Sequence, residues 1–236
     1  MLQTLAENRY FFVAYALFLL VGGGYLIFIE KGDLLFFFND LRTPTTHGFF
    51  RFWTQLGEEY GYFLLAFLFL FVRFRWSLLI ALTGILVALF SFGLKSFFGR
   101  PRPRAFFEST DPTLLERIRF FEGWSLEDLY NNPMNSFPSG HTMSAFAFYG
   151  ILALLLPKRP LLQIALFVTA LLIGFSRVYL VQHFFEDIYV GSLVGVLIAL
   201  GLYLISRRYP YDPRRPLDRK IGFRGRGRTT LPGEQV

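Results

Sequence analysis

No cysteine occurs in the 236 residues, so disulfides and thiolate metal sites are excluded and redox compartment cannot be read from the chain. Histidine is almost as scarce. With only three of them, a full metal ligand set built around His183, Glu186 and Asp187 is hard to assemble. Charged residues make up 17% of the chain against 53% hydrophobic and 19% aromatic, a balance that suits a membrane protein better than a soluble one. No internal repeat is visible.

In place of charge there are long apolar runs. A helix that crosses a bilayer needs about 20 mostly apolar residues. Residues 10–29, 76–94, 161–176 and 188–206 are uncharged, and 140–156 carries only His141. A sixth run, 60–72, is short; a start nearer Trp53, with Glu58 and Glu59 at the interface, lengthens it. The first run is too long for a signal-peptide core and lacks an A-x-A site, so it reads as a retained helix. The expectation is an all-α, polytopic membrane protein: a six-helix domain over 1–206, an outer loop region, and a basic, flexible cytoplasmic tail over 207–236. The Gly22-Gly23-Gly24 run reads as a point of close helix packing.

The net charge of +7 could suggest nucleic acid, but its distribution points elsewhere. From residue 207 onward there are nine Lys/Arg against three Asp/Glu, and Arg73/Arg75 and Lys158/Arg159 sit in very short connections. Threading six helices from a cytoplasmic N-terminus puts all three clusters on one side, as the positive-inside rule requires. The opposite segments are balanced: three basic and five acidic residues over 30–59, six of each over 95–139. The first of these suits an amphipathic helix lying in the interface. The second is too long to be a passive connector; its middle can form short helices capped by Asp111 and Ser125, and Pro101 and Pro103 end the helix that carries Lys95.

The polar residues that interrupt the apolar pattern all fall at the outer ends of helices. Lys95 ends the third span in KSFFGRPRP, His141 opens the fourth in FPSGHTMSAF, and SRVYLVQHFFED joins the fifth to the sixth. A charge at bilayer depth costs a few kcal/mol or more, so such groups need a partner, water or a function. On one continuous helix Arg177 and His183 would lie about 240° apart; a turn between them brings them together. His183 and Asp187 are four apart and share a helical face, so Asp187 can hold one imidazole nitrogen and leave the other as base or nucleophile. Lys95, Arg100, Arg102 and Arg177 concentrate positive charge, and the Ser139-Gly140 turn at a helix start offers N–H groups and a hydroxyl. Such a set suits a phosphate, with His141 placed to donate a proton to the leaving oxygen.

These three stretches resemble the signature of the type 2 phosphatidic acid phosphatase superfamily, which also includes vanadium haloperoxidases and bacterial acid phosphatases. K-x6-R-P corresponds to Lys95, Arg102 and Pro103; P-S-G-H to residues 138–141; S-R-x5-H-x3-D to Ser176, Arg177, His183 and Asp187. The apolar pattern and basic inner connections resemble the integral membrane, lipid phosphate phosphatase branch over most of the chain. The resemblance implies that His183 is a nucleophile that becomes a phosphohistidine, that Asp187 orients it, and that His141 is the general acid. It implies that Lys95, Arg102, Ser139, Gly140 and Arg177 hold the phosphate, with no metal or other cofactor. Arg100 lies outside the motif and inherits no role.

The expected activity is hydrolysis of a phosphomonoester or pyrophosphate of a membrane lipid, with no nucleic-acid partner, in the plasma (inner) membrane and with the site facing periplasm or exterior. Phosphatidylglycerol phosphate, phosphatidate, polyprenyl pyrophosphate and lipid A phosphates all place phosphate at headgroup depth. Three rivals stay open: a phosphotransferase of the same family, which passes phosphate to another lipid; a metal hydrolase; and a transporter, which usually keeps its charges near mid-bilayer. His47, outside every motif, reads as structural.

Overall fold

A computed structural model describes residues 2–58, 60–118, 133–209, 211–212 and 214–221. Those residues are helical wherever they are regular, and no strand occurs among them. A short α1 (Leu2–Glu7) leads into α2 (Arg9–Phe28), followed by α3 (Asp33–Asp40) and α4 (Pro44–Gln55). Next come α5 (Tyr60–Leu70), α6 (Phe74–Phe98), α7 (Pro103–Thr110) and α8 (Thr113–Glu116). The described residues close with α9 (Gly140–Leu155), α10 (Pro160–Tyr179), α11 (Phe185–Arg207) and a 3-10 turn at Pro216–Asp218. Ser125 lies outside the described residues, whereas Asp111 accepts a bond from the Thr113 backbone N–H at 3.1 Å just ahead of α8.

Four of these helices, α2, α6, α10 and α11, are long and apolar enough to cross a membrane; α5 and α9, with 11 and 16 residues, are shorter. An extension of α5 back to Trp53 does not occur. Trp53 belongs to α4, which Thr43 starts with a capping box, its hydroxyl accepting from the Thr46 N–H, and which ends before the turn at 56–58. The outer segment is thus two helices with a break between them, and both pack against α10.

At the centre stands α9, buried from Thr142 to Leu155 except at Tyr149, as a helix apolar all round must be. α11, α10 and α6 surround it. Its contact with α11 is the most extensive among the described residues, and a Gly-x-x-x-Gly pair, Gly191 and Gly195, one turn apart, lets the two backbones approach closely. A Cβ on Gly195 would stand 2.4 Å from the Met143 carbonyl oxygen, and one on Gly191 2.7 Å from that of Ser139. Gly22 packs as expected, with the Phe185 and Tyr189 rings 3.0 Å from where a Cβ would be, while around Gly24 there is open space. The outer faces of α2, α5 and α6 leave Leu20, Val21, Ile27, Phe63, Phe92 and Phe97 exposed, the kind of apolar coat that lipid can cover.

The end of the bundle away from the motifs is tied by its polar groups. The Lys158 N–H donates to the Glu7 carbonyl at 3.0 Å, Arg207 to Thr4 Oγ1 at 2.7 Å, and Gln163 to Asn8 Oδ1 at 3.2 Å. Part of the stretch expected to be a flexible tail is held here too. Asp218 is buried against Arg75 at 2.7 Å, Arg219 accepts from the Phe74 N–H at 2.9 Å, and the Ile221 N–H reaches Leu70 at 3.0 Å. Residues 214–221 therefore dock on the α5–α6 turn.

Candidate active site

Lys95 stands in the last turn of α6. That helix is stopped by Gly99 rather than by the prolines: Gly99 takes φ +52° and its N–H donates back to the Lys95 carbonyl at 3.0 Å, the left-handed ending that glycine adopts at least cost. Pro103 instead opens α7 with Arg102 as its cap residue, the first-turn position where proline's missing N–H costs nothing. The loop entering α9 is laced to this corner, the Arg102 N–H donating to the Pro133 carbonyl at 2.8 Å and the Ser136 N–H to that of Arg100 at 2.9 Å. Ser139 then caps α9, its Oγ accepting from Thr142 N at 3.4 Å and Thr142 Oγ1 at 2.9 Å. A Cβ on Gly140 would stand 2.9 Å from Ser91 Oγ and 3.4 Å from Lys95 Nζ, so the absence of a side chain lets the lysine approach the free N–H groups of the helix start.

Between α10 and α11 the chain turns sharply. The Gln182 and His183 N–H groups both point back to the Arg177 carbonyl, at 2.9 and 3.3 Å, and Val181 is held at φ +56°. A β-branched residue there costs of order 1–3 kcal/mol, strain of a kind that clusters at functional sites. His183 consequently lies in the turn, before α11, and not on a helical face shared with Asp187 as its spacing suggested. The contact forms all the same. Asp187, in the first turn of α11, receives three donors on Oδ2: Ser136 Oγ at 2.5 Å, Phe184 N at 3.0 Å and His183 Nδ1 at 3.2 Å. His183 and Asp187 are each 1% exposed. With Nδ1 engaged, the imidazole is held with Nε2 as its open nitrogen. Burial first, and then the charges of Arg102, Arg177, Lys95 and His141, push His183 well below its ordinary 6.5, so the ring is neutral and nucleophilic at physiological pH.

Two guanidiniums face this histidine. Arg102 donates to Gln182 Oε1 and Arg177 Nη1 to Thr54 Oγ1 at 2.7 Å, yet the Nε of each is buried with no hydrogen-bond partner among the described residues. A buried charged donor left unmatched is costly, and both guanidiniums are close enough for their charges to act on His183. His141, second residue of α9, gives its Nε2 to Glu58 Oε1 at 3.0 Å. Lys95, Gly140, His141 and Glu58 also form the polar mouth of a cavity of about 640 Å³. Its body descends between α5, α6 and α9 and is lined by Tyr62, Phe63, Ala66, Gly84, Ile85 and Ala88.

All eight site residues expected from the sequence meet in this one place, linked through the Asp187 carbonyl, which accepts from the Ser139 N–H at 3.0 Å. Arg100 stays outside it, paired with Glu186 at 3.2 Å, as Lys31 is at 2.9 Å. His47 packs near the Tyr179 ring, 6.4 Å between centroids. Four participants were missed by sequence reasoning: Ser136, Gln182, Thr54 and Glu58. Ser136 and Gln182 lie within two residues of motif residues; Thr54 stands in the last turn of α4 and Glu58 in the turn that follows it, where spacing carries no signal.

An arrangement of cationic groups around a carboxylate-bound histidine, at the ends of apolar helices, defines a class before any comparison is made. Residues 74–210, more than half of the chain, match the model of the PAP2 superfamily, and the chain belongs to that superfamily. It is 29% identical over 154 residues to lipid phosphate phosphatase 2 of Arabidopsis thaliana, a match covering 57% of this chain and 50% of the relative. The crystal structure of Aquifex aeolicus LpxE superposes with a TM-score of 0.59 at 29% identity, over 76% of this chain and 95% of that one. The transmembrane PAP2-type phosphatidylglycerolphosphate phosphatase of Bacillus subtilis gives 0.60 at 22% identity, over 86% and 98%, a likeness of fold. The chain spans about half the length of the curated relatives it matches.

Proposed function

We propose that the protein is a membrane-bound phosphatase that hydrolyses a phosphomonoester or pyrophosphate of a membrane lipid through a phosphohistidine. The observation that carries this reading is the join between polar mouth and apolar cavity: Lys95, Gly140 and His141 share one space with Tyr62, Phe63 and Ile85. A ligand that fills both has a phosphate head and a hydrocarbon body. Curated relatives whose names specify lipid phosphates support the same substrate class.

In the first step His183 Nε2 attacks phosphorus, a P–N bond forms, and the P–O bond to the lipid breaks. Asp187 keeps Nδ1 bonded and stabilises the positive charge that the ring gains. Lys95, Arg102, Arg177, Ser139 and the Gly140 N–H neutralise the phosphoryl oxygens, which supplies most of what phosphoryl transfer needs. His141 donates its proton to the departing lipid oxygen. In the second step water attacks phosphorus, gives its proton to His141, and the P–N bond breaks to release phosphate.

The six-crossing reading goes with this one: α2, α5, α6, α9, α10 and α11 thread the bilayer, the short α9 being covered by its packed neighbours and the short α5 presenting its apolar face outward. The site then faces periplasm or exterior and the 207–236 tail faces the cytoplasm. Purified protein in detergent, given the four lipid phosphates named above, tests the activity by phosphate release. Free phosphate from at least one, with acid-labile phosphate trapped on the wild-type chain and not on His183→Ala, is expected. A phosphorylated acceptor lipid without free phosphate would make it a phosphotransferase. Activity should also survive EDTA and fall with vanadate; loss in chelator restored by one divalent ion would overturn the metal-free mechanism.

A further inference from the structure

Two histidines in this site carry a carboxylate, and only one of those carboxylates belongs to the motifs. Asp187 is enclosed with His183; Glu58 stands at the cavity rim, its side chain 42% exposed beside a His141 side chain 30% exposed. Around His141 the other charges are cations, Lys95 at the mouth of the same cavity and Arg177 behind it. Glu58 brings the negative charge to this side, and the hydrogen bond from His141, helped by the His141 and Arg177 charges and opposed by burial, holds its carboxyl below the ordinary 4.5. The turn that presents it and the end of α4 before it are fixed from three directions. Tyr149 donates to the Leu56 carbonyl at 3.2 Å, a Cβ on Gly57 would strike Ile173 at 2.6 Å, and Thr54 accepts from Arg177 at 2.7 Å.

Resting on the phosphatase reading above, we infer that Glu58 is a positioning residue for the general acid: its carboxylate fixes His141 Nε2, leaves Nδ1 for the leaving oxygen, and supplies the counter-charge of the imidazolium. The two ends of the reaction then share one chemistry. Each histidine is anchored through one nitrogen and works through the other, His183 through Nε2 at phosphorus and His141 through Nδ1 at the lipid oxygen. The difference in exposure suits the roles. The nucleophile must stay neutral and dry, while the acid exchanges a proton in each half-reaction, taking it from water and giving it to the lipid alkoxide.

The inference makes a demand that depends on the leaving group. An alkyl phosphate expels a strongly basic alkoxide and needs the proton; p-nitrophenyl phosphate expels a weakly basic phenolate and needs it little. Comparing kcat/KM on the two esters isolates the step up to loss of the leaving group and excludes later hydrolysis of the phosphohistidine. Wild type, Glu58→Gln, Glu58→Ala, His141→Ala and His183→Ala are purified in detergent and assayed on phosphatidate and p-nitrophenyl phosphate. In Glu58→Ala the loss on phosphatidate is expected to exceed that on the aryl ester at least tenfold, with Glu58→Gln between it and wild type and His141→Ala showing the same bias more strongly. Equal losses on both esters, or no loss on phosphatidate, would overturn the role of Glu58. His183→Ala reads the phosphatase assignment separately: full activity in that variant would remove the proposed nucleophile, whatever the Glu58 ratio.

Discussion

His183 combines features that conflict in most surroundings: full burial, a carboxylate partner and a ring of cations. The burial and the cations keep it unprotonated, and the carboxylate keeps it oriented, which is what a nucleophile requires. Replacing His183, His141 or Arg177 with alanine is expected to cut turnover roughly 10²-fold or more each while leaving folded protein, with His47→Ala as the matched control. Comparable losses for His47 and His183 would undo the assignment of roles. A second expectation concerns pH. The native chain holds His183 well below the 6.5 of an unfolded histidine, so below pH 6.5 the unfolded state takes up a proton that the native state refuses. Stability from this source is fully present above 6.5 and declines as pH falls, at up to about 1.4 kcal/mol per pH unit. Thermal unfolding in detergent should therefore show a larger drop in midpoint between pH 7.5 and 5 for wild type than for His183→Gln; equal drops would mean that the histidine is not held neutral.

Helices position these side chains through their ends, and the ends are where sequence and structure part company. The motif residues and the turn between Arg177 and His183 were legible because a charged residue in an apolar run has few places to go, and helical periodicity alone forbids the two from sharing a face. Termination signals were read less well. Pro101 and Pro103 resemble stops, yet Gly99 ends α6 and Pro103 starts α7, since proline fits a first helical turn as well as it breaks a later one. Nothing local in the sequence distinguishes a carboxylate facing water, as expected of Glu58, from one facing His141; only the packing of the 56–58 turn on α9 and α10 decides it. The sequence points to the 22–24 run as the close packing point, whereas the tightest backbone approaches among the described residues fall at Gly191 and Gly195. The weight of that pair is testable. A methyl on Gly195 meets Met143 O at 2.4 Å and Ala147 N at 2.9 Å, backbone atoms that cannot swing aside, so Gly195→Ala should force α11 away from α9 and cost roughly 1–3 kcal/mol or more. Because α9 and α11 also carry His141 and Asp187, turnover should fall with the thermal midpoint. Gly24→Ala, with nothing within 4 Å of its Cβ, should leave both near wild type; an unchanged midpoint in Gly195→Ala would show that the pair is not a close contact.

At the scale of the whole molecule, function depends on which end of the bundle meets which leaflet. The motif residues lie at the C-terminal ends of α6 and α10 and the N-terminal ends of α9 and α11, which requires these four to alternate in direction. The other end gathers the basic connections. Lys158 bonds to Glu7, Arg207 to Thr4, and Arg75 to the docked Asp218, so the N-terminal helix, two inner turns and the start of the tail form one cationic face, opposite the active site. Positive charge on short connections is retained on the cytoplasmic side, so the topology proposed above predicts a motif-bearing face that opens outward. This ordering is expected to appear in chemical labelling. A cysteine introduced at the exposed Ser109, on α7 beside the site, should react with an impermeant maleimide in intact bacterial cells, after outer-membrane permeabilisation where one exists. A cysteine at the exposed Lys220, in the docked stretch, should react only after lysis. Because the chain has no cysteine of its own, all labelling reports the introduced position. Reaction at 220 but not at 109 in intact cells would invert the topology and direct the phosphatase to lipids of the cytoplasmic leaflet.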